Sequence, residues 1–136
     1  MAGDYLHWQL TYTRKITDTD IVVGTQNYAD VITPKSADHR VYIQKITLSI
    51  TTHFDATITF DDDGTGPPIA AYTDEATAAA TGQGRVPVVW DFGPTGRPLT
   101  KGANLDISQT AAGIVGIVHI EAYERLEGAV AAATTN

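Results

Sequence analysis

Apolar and polar residues alternate along most of this chain, the period-two signature of strands that bury one face. Leu6, Trp8, Leu10 and Tyr12 share a face over residues 6–14, and Ile46, Leu48 and Ile50 do so within a long strand over 41–52. Ile58 and Phe60 alternate with Thr57 and Thr59, and Leu105 and Ile107 alternate with Asp106. Further strands are predicted over 21–23, 28–32, 69–72, 86–92 and 114–123. Helical periodicity is confined to residues 74–80, where Glu75, Ala76 and three consecutive alanines fit a turn of helix or a flexible connection equally well.

Eight or nine short strands joined by Gly, Pro and Asp turns predict an all-β domain, an antiparallel sandwich or barrel. Its expected core comprises Trp8, Leu10, Ile46, Leu48, Ile50, Ile58, Phe60, Val89, Leu105, Ile107, Val118 and Ile120, and Trp90 also fits the inward pattern. Residues 1–126 form this single domain, and 127–136 (Glu-Gly-Ala-Val-Ala-Ala-Ala-Thr-Thr-Asn) form a tail with no face to bury. The tail reads as mobile, or as an arm ordered on a partner. No fixed-length repeat points to a propeller or solenoid.

The most heavily specified stretch runs from Trp90 through Asp91-Phe92-Gly93-Pro94-Thr95-Gly96-Arg97-Pro98-Leu99-Thr100-Lys101-Gly102 to Ser108. Glycine opens positive φ and proline fixes its own, so this loop has a defined shape between two strands. It presents Arg97 and Lys101.

Composition narrows the function classes. The chain has 136 residues, enough for a hydrophobic core, and twenty threonines that favour pleated sheet. Cysteine is absent, so neither disulfides nor thiolate metal sites hold the fold. Nine Lys and Arg against sixteen Asp and Glu give a net charge of −7. The basic residues are scattered, with Arg14-Lys15 the adjacent pair, whereas phosphate binding needs clustered cations. Direct nucleic-acid binding is not expected, and an acidic surface suits a basic partner surface. The start, Met1-Ala2-Gly3-Asp4-Tyr5, carries an acid where a signal peptide needs a basic region. No run approaches the roughly 18 to 20 apolar residues of a membrane span. Synthesis in the cytoplasm and no membrane partner are the expectations.

Candidate chemistry is sparse. Asp61, Asp62 and Asp63 place three carboxylates before Gly64, which suits either a hard cation or an acidic turn. EF-hand spacing fails, because Thr59 and Ala70 would hold its first and twelfth positions. The turn is the reading adopted, with no metal and no cofactor. His7, His39, His53 and His119 are far apart, with solvent or an interface the default for His7 and His119. No nucleophile elbow surrounds Ser36, Ser49 or Ser108. Gly82-Gln83-Gly84-Arg85 lacks the lysine and helix of a phosphate loop, and no pair among the acids is marked for glycoside hydrolysis. No catalytic residue emerges, and the protein is read as a non-enzyme. Tyrosines off the core face are the better contact candidates, Tyr5 and Tyr28 among them.

Three segments together, Val41 to Ile50, Asp91 to Ser108, and Gly113 to Glu124 with its Ala122-Tyr123 ending, resemble the small jelly-roll decoration or cement proteins of tailed bacteriophage capsids. The resemblance covers about residues 41–124 and brings no catalytic residues. It implies a jelly-roll-like antiparallel β-sandwich of eight or nine strands that forms a homo-oligomer, dimer or trimer, binds the major capsid protein on the virion exterior and stabilises the shell. Arg97, Lys101, Tyr5, Tyr28 and the terminal Asn136 are the candidate contacts. A carbohydrate-binding or host-attachment module on a virion is the alternative. A cupin-type enzyme ranks third, since it would need a His/Glu metal constellation.

Overall fold

The structure, a computed structural model, describes residues 7–16, 26–63, 67–75, 80–81, 87–111 and 113–127. Ten strands carry the fold: β1 (His7–Ile16), β2 (Gln26–Ile32), β3 (His39–His53), β4 (Ala56–Asp62), β5 (Ala70–Asp74), β6 (Ala80–Thr81), β7 (Val88–Asp91), β8 (Arg97–Pro98), β9 (Leu105–Gln109) and β10 (Val115–Leu126). The described residues contain no helix. The expected strand at 21–23 and the candidate helical residues 76–79 lie outside them.

A larger sheet has the order β1-β10-β3, with β6, β7 and β8 all paired to the free side of β3. Those three short elements meet β3 at 52–53, 45–48 and 42–43, so together they occupy one strand position. Phe92 N–H donates to Gln44 O at 2.8 Å and Leu99 N–H to Val41 O at 2.8 Å, continuing the ladder between and beyond them. The smaller sheet has the order β2-β9-β4-β5, and every pairing in both sheets is antiparallel. Eight strand positions that pass repeatedly between two sheets in this order make a jelly-roll sandwich.

Two irregularities in the β3–β10 ladder set which side chains face inward. Lys45 pairs with Glu121 but Ile43 pairs with Ala122, so Gln44 is an extra residue. Side chains alternate with period two, so only this bulge lets Val41 and Ile43 share a face with Ile46 and Leu48. The second lies between Val115 and Gly116, where a Cβ would sit 2.5 Å from Ser49 O; only glycine fits that approach.

The core fills the space between the sheets. Ile43, Ile46, Leu48, Val118 and Ile120 meet Ile58, Phe60, Leu105 and Ile107, all buried. Phe60 and Trp90 pack edge to face with centroids 5.4 Å apart. Ile50 and Trp90 are partly buried against this cluster. Val89 is a correction. It is 49% exposed, because β7 turns Val88 and Trp90 inward and Val89 outward. Trp8 and Leu10 lie on β1, opposite Glu124 and Ala122, and their side chains are outside the described residues.

Buried carboxylates join separate parts of the sandwich. His53, 1% exposed at the end of β3, pairs through Nδ1 with Asp74 Oδ2 at 2.7 Å at the end of β5, linking the two sheets. Phe54 N–H donates to the same oxygen at 3.2 Å. Elsewhere Glu124, 4% exposed, accepts Lys35 N–H at 3.0 Å.

Candidate functional site

The feature that the structure assembles is a brace around the Gly/Pro-rich loop, built on the outward face of β3 and β10. Inward positions on these strands are mostly apolar, so alternation turns Arg40 and Tyr42 on β3, and Tyr123 on β10, toward the outer face. Tyr42 and Tyr123 are direct register partners, and their rings stack with centroids 4.9 Å apart and planes 6° from parallel. Each hydroxyl then reaches a different segment. Tyr123 donates to Thr95 O at 2.7 Å, and Tyr42 donates to the Glu127 carboxylate at 2.5 Å. Arg40 donates through Nε to Glu127 at 2.9 Å and through Nη1 to Leu99 O at 2.8 Å. A continuous path therefore runs Thr95, Tyr123, Tyr42, Glu127, Arg40, Leu99, gripping the loop at two points.

Other contacts set the loop's shape. Gly96 N–H donates to Gly93 O at 3.1 Å, with Pro94 at the corner where its fixed φ is favoured. Gly96 has φ +76°, and a Cβ there would press on Tyr42 Cβ and Ile43 O at 3.1 Å. The next turn, Thr100 to Ala103, is closed by Ala103 N–H on Thr100 O at 2.9 Å, with Gly102 at φ +81°. Asp62 Oδ2 accepts both Thr100 N–H and the Thr100 hydroxyl at 2.8 Å, tying the loop to the end of β4.

Glu127 is the electrostatic hub of the brace. Its carboxyl is held below the usual range, first by the Tyr42 hydroxyl bond and then by Arg40, against an opposing contribution from burial. Tyr42 is pushed up by burial and by the same carboxylate. Glu127 N–H also donates to Asp38 O at 2.8 Å, so the residue expected to begin the tail is anchored to the domain. Residues 128–136 lie outside the described residues, Asn136 with them.

The residues singled out from sequence fall differently. Arg97 and Lys101 are exposed, as expected. Arg97 sits in β8 opposite Ile43 rather than in free loop, and its Nη1 donates to Ile69 O at 3.3 Å. Lys101 stands at the tip of the Thr100–Ala103 turn. Asp61 and Asp62 are a correction to the acidic-turn reading, because β4 extends through both, and Asp63, at φ 44°, is the turn residue. Asp61 faces Asp106 across the ladder, and burial with that neighbouring carboxylate pushes its pKa up. Among the described residues no three His, Asp or Glu side chains gather as a metal would require. Tyr28 lies in β2 opposite Ile107, with its side chain outside the described residues, as is all of Tyr5. Tyr42 and Tyr123 belong to the off-core tyrosines read from sequence as contact candidates, whereas Arg40 and Glu127 were not singled out. The tyrosines' one sequence signal is parity, since each is flanked by inward-facing positions.

No family model matches the chain, and no curated protein matches it. Its similarities are to solved structures. The Bacillus endospore appendage, a disulfide-linked pilus, is 15% identical over 90% of this chain and 88% of that chain, with a TM-score of 0.42. The Tobacco streak virus coat protein is 12% identical over 84% and 85%, with a TM-score of 0.41. The carbohydrate-binding module CBM6cm-2 of Cellvibrio mixtus lichenase 5A is 14% identical over 87% and 92%, with a TM-score of 0.35. At these identities and scores the likeness carries no argument about activity.

Proposed function

We propose that this chain is a non-enzymatic structural protein of a tailed-phage virion, one that docks on the outer surface of the assembled capsid and stabilises it. The observation that carries the reading is the braced loop. Residues 91–104 are held to β3, β10 and β4 by side-chain hydrogen bonds, and Arg97 and Lys101 stand exposed on the held segment. A loop ordered before binding loses little conformational freedom on docking, so more of its contact energy appears as affinity. The tyrosine rings support this over a sugar platform. They stack on one another, and both hydroxyls are committed within the chain.

The partners in this reading are the major capsid protein and further copies of this chain, as a dimer or trimer that shields sheet edges. Synthesis is in the host cytoplasm and residence is on the capsid exterior. The test is co-sedimentation with expanded, undecorated capsids built from the major capsid protein encoded nearest this gene. Wild type is expected to pellet with shells and not with free subunits. Arg97→Ala with Lys101→Ala is expected to bind more weakly and with less salt sensitivity, and removal of 128–136 to weaken attachment without unfolding the domain. Failure of wild type to pellet overturns the proposal.

A further inference from the structure

Beside the brace, on the same outward face, lies an open depression of about 240 Å³ lined by Gln44, Lys45, Asp91, Gly93, Pro94 and Glu121. It forms where the bulge at Gln44 meets the turn that begins at Gly93. Two of its polar side chains are held in place by one atom each, and among the described residues the other atom has no hydrogen-bond partner. Gln44 Nε2 donates to Pro94 O at 2.8 Å, leaving Oε1. Asp91 Oδ1 accepts Gly93 N–H at 2.9 Å, leaving Oδ2. Lys45 stands in register between Asp91 and Glu121, yet among the described residues neither Lys45 nor Glu121 has a side-chain hydrogen bond or ion pair. The depression thus offers several acceptor oxygens around one ammonium donor.

This lining discriminates among ligand chemistries. A guanidinium or ammonium group would meet Lys45. A carboxylate or phosphate would meet Asp91 and Glu121. A neutral ring bearing adjacent hydroxyls suits it, since hydroxyls donate to Glu121 and Asp91 and accept from Lys45. We infer that this depression binds a single neutral saccharide ring, giving the chain a glycan contact separate from Arg97 and Lys101. The space is smaller than the roughly 300–1,000 Å³ of drug-sized pockets and is open, so the affinity falls in the millimolar range. Many copies on one particle would convert such weak contacts into firm adhesion. The inference stands whether or not the chain docks on a capsid.

The experiment is a ¹H–¹⁵N NMR titration of the isolated chain with methyl β-D-glucopyranoside, methyl β-D-galactopyranoside and N-acetylglucosamine, each to about 50 mM. Ethylguanidinium and acetate serve as charged comparisons. The expected result is saturable shifts for at least one sugar, confined to residues 44–45, 91–94 and 121, and weakened about fivefold or more by Glu121→Gln and by Lys45→Met. Unchanged resonances elsewhere show that each variant is folded, and if one is not, the wild-type ligand panel decides. No saturable shift with any sugar, shifts centred elsewhere, or tighter binding of either charged probe would overturn the assignment.

Discussion

Replacing Glu127 with alanine removes one acceptor that serves two donors, and the structure fixes both the size and the pH dependence of the loss. The Tyr42 hydroxyl bond to a carboxylate is charge-assisted, worth about 1.5–3 kcal/mol in a partly buried setting. The Arg40 pair adds little. Both side chains are about 30% exposed, at 31% and 30%, and such pairs are screened. A net loss of about 2 kcal/mol at pH 7 is expected, or roughly 7 °C in Tm for a domain of this size. The Glu127 pKa is depressed in the fold, so its contribution is fully present above the unfolded value near 4.5 and is lost as pH falls through the folded value. Tyr42 is raised from 10.0, so its share is present below that value and is lost as pH climbs through the raised one. The assay is urea unfolding of wild type and Glu127→Ala from pH 7 downward. The two stability curves should separate at neutral pH and converge in acid. Equal stability at pH 7, or a constant gap at every pH, would refute the brace as an energetic unit.

Three further outcomes follow from the packing. Phe60→Ala, which empties a fully buried position against Trp90, should cost about 3–5 kcal/mol in urea, whereas exposed Val89→Ala should change stability by less than about 0.5 kcal/mol. Gly116→Ala would force a Cβ to 2.5 Å from Ser49 O, so its Tm should drop by roughly ten degrees or the chain should fail to fold. Asp74→Ala leaves the buried His53 Nδ1 without its hydrogen-bond partner and should cost about 1–3 kcal/mol; a loss below about 0.5 kcal/mol would show that the intersheet link matters little.

The architecture was legible wherever alternation ran unbroken. Ile58 and Phe60, Leu105 and Ile107, and Val118 and Ile120 all point inward as their spacing requires. Legibility failed where the phase was ambiguous or broken. Val88, Val89 and Trp90 form a continuous apolar run, so parity could not decide which faces out, and a short strand on the rim of β3 gave Val89 to solvent. Ile43 and Ile46 differ in parity, and that mismatch is the trace of the Gln44 bulge. The brace was invisible for a different reason. Tyr42 and Glu127 are 85 positions apart, and only the β3–β10 register brings Tyr42 to Tyr123 and the end of β10 to Arg40. His53 and Asp74 looked like ordinary polar residues, because burial of such a pair depends on both sheets being in place.

Electron cryomicroscopy of expanded capsids incubated with the purified protein shows whether the braced loop meets an assembled shell. Added density is expected on the outer surface, with the sandwich oriented so that residues 91–104, and Arg97 and Lys101 in particular, face the capsid subunits. Shells that remain bare, or density in which this loop points to solvent while another face makes the contact, would contradict this docking.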